Sequence, residues 1–317
     1  MAGLLRFLLA VAALVLGLGA TPALAQEGKR IAISFDDAPR HPGGFMTPDQ
    51  RTAALIAGLA EAGVEQAGFF ITTGNLETDF GKGGEERIRA YVAAGHVIGN
   101  HSHSHTWLSQ NSAADYIADL DRAEAWLAGK PGKRPWYRFL YLDEGRDLAR
   151  RDALRAALRE RGLMNAYVTI DDYDWAIDDL ARKAVEAKRP IDKDALRDLY
   201  VETIVGTADF YDAMARETLG RQPAHVLLLH ETDIAGLFIV NLIKGLRAAG
   251  WTIVTMDEAY ADPIARSEPD TLYLGGGRLA ALANIAGKNP QSLVYERTNE
   301  AVLEKLFEER VIVRGSR

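Results

Sequence analysis

IAISFDDAPRHPGGFMTPDQRTAALIAGLAEAG, residues 31–63, decides the fold. Ile31–Phe35 is a short unbroken apolar run, which reads as a buried strand. Thr47–Ala62 reads as a helix, opened by Thr47-Pro48-Asp49 with its good N-cap residue and early proline. A strand followed at once by a helix is half of a βα unit. The same alternation then repeats. Strands are predicted at 68–72, 96–100, 137–142, 165–170, 225–230 and 251–255, with helices at 85–94, 113–128, 147–161 and 234–249. Alternation at this spacing means a parallel sheet. About seven such units in one chain favour an α/β barrel, closed or nearly closed, over an open sheet.

Two segments depart from the alternation. Residues 176–222 are helical and charge-rich, too long for one crossover, and are expected to form a helical insertion beside the barrel. Residues 267–317 form a C-terminal extension with a Gly275-Gly276-Gly277 break and a last helix near Asn299–Glu309. The barrel itself is assigned to 26–266.

The N-terminus has the pattern of an export signal. Arg6 is followed by an apolar run from Phe7 to about Gly19, and Thr21-Pro22-Ala23-Leu24-Ala25 supplies the small residues of a cleavage site. The run is shorter than the ~20 residues that span a bilayer. Cleavage after Ala25 is expected, with the mature chain periplasmic or secreted and without a stable membrane anchor.

Composition narrows the chemistry. The 317 residues are 48% hydrophobic with a net charge of −7, against a phosphate-gripping nucleic-acid binder. There is no cysteine, so disulfides, thiolate nucleophiles and cysteine-held zinc are excluded. Any metal must be held by His, Asp or Glu, and there are seven histidines.

The polar clusters fall at one end of their strands: Asp36-Asp37, His101-Ser102-His103-Ser104-His105, Arg138 with Asp143-Glu144, Asp171 to Trp175, and His230-Glu231. In parallel barrels the loops after the strands converge on one face, where the chemistry sits. Two adjacent carboxylates cannot comfortably share a cavity unless a cation neutralises one; a metal taking one and leaving the other as base resolves this. On a helical turn His101 and His105 share a face and His103 points away; in an extended chain all three share a face. Two neutral imidazoles and one carboxylate leave a divalent ion with open positions, as in a catalytic site. Arg138, among aromatic neighbours, needs a carboxylate partner, and Asp36 is the natural candidate. His230 ends a buried apolar run and reads either as a satisfied core histidine or, beside a metal, as a general acid. Asp174-Trp175 reads either as a helix N-cap region or as a carboxylate that orients His230 with an indole that walls a pocket. His41, His96 and His225 have no supporting neighbours and receive no role.

In order, Ser34-Phe35-Asp36-Asp37, His101-Ser102-x-x-His105, Arg138, Asp174-Trp175 and Leu228-x-His230 resemble the five motifs of the polysaccharide deacetylase family, metal-dependent carbohydrate esterases. The resemblance runs from Lys29 to Pro263. It implies a distorted (β/α) barrel, with Asp36 as base, Asp37, His101 and His105 as metal ligands, Arg138 orienting Asp36, His230 as acid and Asp174 supporting it. Trp175, Tyr141 and Leu228 are the implied substrate-pocket residues. The implied cofactor is a divalent ion, zinc first and cobalt next, and the implied partner a carbohydrate. The implied reaction removes an N-acetyl group from a chitin- or peptidoglycan-like sugar; an O-acetyl esterase and a non-catalytic carbohydrate-binding barrel are the alternatives. Ser34, Ala38 and Leu140 stand where the family usually carries threonine, glycine and proline.

Overall fold

The computed structural model describes residues 28–313, so the predicted signal and its cleavage site lie outside the described residues. The strands are β1 (Arg30–Ala38), β2 (Gly68–Ile71), β3 (Val97–Asn100), β4 (Lys133–Tyr137), β5 (Met164–Asn165), β6 (Ala224–His230) and β7 (Thr252–Ile253). The helices are α1 (Pro48–Glu61), α2 (Gly84–Ala93), α3 (Ala113–Leu127), α4 (Leu148–Glu160), α5 (Asp174–Glu186), α6 (Lys193–Leu219), α7 (Asp233–Ala248), α8 (Met256–Tyr260), α9 (Gly277–Ile285) and α10 (Glu300–Arg310). The strand order is β5-β4-β3-β2-β1-β6, all parallel, with β7 pairing the start of β1. Beyond β5 the chain reaches the far edge through a parallel bridge from Ile170 to Leu227 of β6. The curled sheet thereby returns on itself, giving the distorted barrel that the alternation and the motifs imply.

Side chains of a strand alternate between faces, and β1 shows what each face does. Ile31, Ile33 and Phe35 join the large core beneath α1 and α7, while Ala32 faces the barrel interior with Phe70, Trp136, Val226 and Leu228. Ser34 and Asp36 continue that inward row. The predicted start of α1 is borne out: Thr47 accepts from the Gln50 amide and Gln50 reciprocates, a capping box. Gly58 lets α1 meet α7 closely, since a Cβ there would lie 2.5 Å from Ile239.

Three predicted strands are shorter than their apolar runs. The run 137–142 leaves the sheet after Tyr137: Leu140–Leu142 is a 3-10 turn in which Tyr141 and Leu142 take φ of 54° and 52°. The run 165–170 is a ladder only at Met164–Asn165, because the chain there crosses from β4 to β6 and pairs with each briefly. The last strand keeps only Thr252–Ile253. Residues 137–140 and 166–170 are buried, so burial rather than ladder hydrogen bonding accounts for their apolar character. Residues 176–222 are mainly α5 and α6. Leu196, Leu199, Tyr200, Ile204 and Tyr211 of α6 are fully buried in the same core as β1.

Candidate active site

The end of β1 supplies two carboxylates to one cavity. Asp36 lies opposite His230 in the β1–β6 register and points inward like Ser34. Asp37 would point outward on a continuing strand, but its φ of 65° turns the chain there. The loop after it is pinned from below. Glu231 accepts from the Arg40 amide at 2.8 Å and from the Tyr91 hydroxyl at 2.6 Å. Asp233 accepts from the Phe45 and Met46 amides at 2.8 Å, and the buried Arg51 pairs with it at 3.2 Å.

The histidine segment is neither of the alternatives the spacing allowed. Residues 101–105 are irregular, with left-handed φ at Ser102 and His105. Asp119 of α3 organises them, accepting from the hydroxyls of Ser102 and Ser104 and from the amides of His103 and Ser104. Those bonds outweigh its burial and hold the Asp119 pKa below the usual carboxylate range. His101 and His105 turn towards Asp37, with Nε2 of each 3.4 and 2.8 Å from its Oδ1. His103 turns away and meets the Thr73 hydroxyl at 2.9 Å through Nδ1.

Asp37, His101 and His105 are the one group of three or more His, Asp or Glu, among the described residues, whose donor atoms all lie within 4.8 Å. The donor set fits a divalent ion. Asp37 Oδ1 is buried and makes no well-formed hydrogen bond, although two imidazole nitrogens face it. Burial pushes the Asp37 carboxyl up, but the His105 and His101 rings and the Arg40 guanidinium outweigh it and hold the pKa well below the usual range. The outer nitrogen of each ring is engaged, His101 Nδ1 with the Arg138 carbonyl at 3.0 Å and His105 Nδ1 with the Tyr141 hydroxyl at 3.1 Å.

Two buried pairs flank this triad. Arg138 is fully buried and donates to Asp36 Oδ1 at 2.9 Å, to Ser34 Oγ at 3.2 Å, to the Tyr260 hydroxyl at 3.1 Å and through Nε to the Ala166 carbonyl. Its guanidinium lies 4.0 Å over the Phe70 ring. Leu140 in place of proline leaves this pairing intact. On the other flank Asp174, fully buried, accepts from His230 Nδ1 at 2.7 Å and from its amide at 2.8 Å. Burial pulls the His230 imidazole down; the Asp174 charge and hydrogen bond, helped by Asp37, outweigh it, and the pKa stands above 6.5.

Asp36, Asp37, His101, His105, Tyr141, Trp175, Leu228 and His230 all line one cleft of about 620 Å³. Arg138 and Asp174 stand behind Asp36 and His230 and do not line it. His41, His96 and His225 are also outside it. His96 accepts from the Ala67 amide, with burial lowering its pKa to about 4, and His225 meets Thr169. Sequence reasoning gave no individual role to Arg40, Trp107, Asp171, Tyr173, Leu274 and Glu300, which also line the cleft. Asp171 is raised by burial to about 6, against the opposing Gly276 amide. The aspartate run at 171–174 carried a signal for it. Leu274 and Glu300 carried none, because they come from the C-terminal extension.

Among solved structures, the chain is similar to a family 4 carbohydrate esterase from Streptomyces lividans in complex with acetate. Identity is 19% over 73% of this chain and 95% of that one, with a TM-score of 0.48. It is similar to the peptidoglycan deacetylase PdaC from Bacillus subtilis, with 19% identity, 74% and 92% coverage and a TM-score of 0.46. It is also similar to BA3943, a family 4 pseudoenzyme from Bacillus anthracis, with 16% identity, 73% and 65% coverage and a TM-score of 0.47. No curated protein sequence matches the chain. The model of one family, polysaccharide deacetylase, matches residues 23–161, a stretch that contains Asp36, Asp37, His101, His105 and Arg138. By that match residues 23–161 of the chain are similar to the polysaccharide deacetylase family.

Proposed function

We propose that the chain is an exported, metal-dependent hydrolase that removes the N-acetyl group from N-acetylated amino sugars of a chitin- or peptidoglycan-like saccharide. The observation that carries this reading is one cleft holding the Asp37, His101 and His105 donor set between two polarised groups, Asp36 and His230. The family match supports the coarser part, hydrolysis at acetyl groups. The pattern of residues 1–25 supports export.

A divalent ion held by Asp37, His101 and His105, zinc first and cobalt next, would supply Lewis acidity, lowering the pKa of water and polarising the acetyl carbonyl. Asp36 has Oδ1 tied to Arg138, and its Oδ2 lies 3.6 Å from His101 Nε2, so Oδ2 is the oxygen that takes the proton of the attacking water. His230 has its Nδ1 proton held by Asp174, so Nε2 carries the proton given to the departing sugar nitrogen. Trp175, Leu228 and Tyr141 line the cleft and are the apolar and aromatic surfaces available to the substrate.

The test is acetate release from chitooligosaccharides, peptidoglycan fragments and acetylated xylan, with and without a chelator. Release from the N-acetylated substrates, lost on chelation and restored by zinc or cobalt, is the expected result. Release from acetylated xylan alone moves the reading to an O-acetyl esterase. No release from any of them, with metal bound, points to a non-catalytic carbohydrate-binding barrel.

A second measurement concerns pH. A general acid must be protonated, so kcat/KM is expected to fall as pH rises through the His230 pKa, which stands above 6.5. In Asp174→Asn the larger raising charge is gone while burial remains. The alkaline limb should move to lower pH and kcat/KM should drop by roughly 10²–10⁴-fold. An unmoved limb would remove His230 from the acid role.

A further inference from the structure

We infer that Tyr141 is a positioning residue for the metal ligand His105, acting through its hydroxyl, and that Trp107 braces it. The inference rests on the reading that Asp37, His101 and His105 hold a divalent ion. A ligating imidazole keeps its ring plane and tautomer only if the nitrogen facing away from the ion is itself hydrogen-bonded. His101 meets this need with a backbone carbonyl, that of Arg138 at 3.0 Å. His105 has no such carbonyl. Its Nδ1 meets the Tyr141 hydroxyl at 3.1 Å, and that hydroxyl donates onward to the His105 carbonyl at 3.4 Å. The hydroxyl proton is therefore spent on the carbonyl, and the oxygen accepts from Nδ1–H. This leaves the Nε2 lone pair directed at Asp37 Oδ1, 2.8 Å away, on the metal side.

Tyr141 is an unusual residue to be so firmly placed. It is 46% exposed, and its φ of 54° is a left-handed backbone that a bulky residue holds only when its contacts impose it. Those contacts are visible. The Trp107 indole stacks on its ring with centroids 3.8 Å apart and an interplanar angle of 1°, and the His105 ring meets it edge-on at 4.8 Å. Trp107 and His105 belong to the same loop, so one short segment supplies both the ligand and the brace for its support. The apolar stack holds the ring; the hydroxyl holds the histidine.

Zinc affinity of the full chain, measured by competition with a chromophoric chelator, tests this without reference to turnover. Tyr141→Phe keeps the ring and the stack and removes only the oxygen. It is expected to weaken zinc binding by about 10–100-fold, the usual cost of losing an outer partner of a ligating histidine. The melting temperature of the metal-free protein should not change, which a merely structural role would not allow. Trp107→Ala should weaken zinc binding in the same direction and by less; an unchanged affinity there removes the brace. Wild-type affinity in Tyr141→Phe, with His101→Ala losing zinc, overturns the inference and leaves the metal reading standing. If wild-type protein binds no zinc, or His101→Ala binds it as tightly as wild type, both fail together.

Discussion

Asp36→Asn is expected to lower kcat/KM by roughly 10²–10⁴-fold, the range for removing a general base, while zinc still binds. His101→Ala is expected to lose both turnover and zinc. The two side chains are neighbours, with His101 Nε2 3.6 Å from Asp36 Oδ2, yet the proposed mechanism gives them different work. Asp36 is held by Arg138 and is not part of the donor set. Asparagine preserves its shape and the bond to Arg138 but cannot take a proton. Acetate release and a zinc titration on the same two variants separate the roles. Full activity in a zinc-loaded Asp36→Asn protein would overturn the assignment of the base, and loss of zinc from that variant would move Asp36 into the donor set.

Arg138→Leu is expected to give the largest loss of stability. Arg138 is buried with Asp36, Ser34, Tyr260 and the Ala166 carbonyl as partners. Leucine removes the charge and leaves the Asp36 carboxylate buried without a cation. Breaking a buried pair from one side costs about 3–5 kcal/mol, which for a chain of this size is on the order of 10 °C in Tm. Adding Asp36→Asn to Arg138→Leu should restore part of the loss, since the stranded charge is then gone. Thermal unfolding of the two single variants and the double variant checks this. Strict additivity of the two losses would show that Arg138 acts on the barrel wall independently of Asp36.

Much of this site is legible in the sequence. Zero cysteines and seven histidines limited the search, and the strand-end position of each polar cluster gave the face on which they meet. The Arg138–Asp36 pair followed from the need of a buried charge for a partner, and the His230–Asp174 pair from the family resemblance. The conformation of residues 101–105 was not legible. Spacing offered a helix or a strand, and Asp119, a residue of another element, imposed neither. Tyr141 was legible as an aromatic residue near the cleft, but its hydroxyl bond to His105 depends on a left-handed turn that the apolar run 137–142 disguised as strand.

By itself the sequence determined the alternation of strands and helices, the parallel sheet and the identity of the residues at the strand ends. These follow from local periodicity and from the chemistry of side-chain types, which are carried along the chain. Only the tertiary structure decided that the sheet closes through Ile170 and Leu227, that Asp36 and Asp37 share one cavity, and that the C-terminal extension walls it. Those outcomes rest on contacts between residues far apart in the chain and on single backbone torsions. Neither leaves a periodic trace in the sequence.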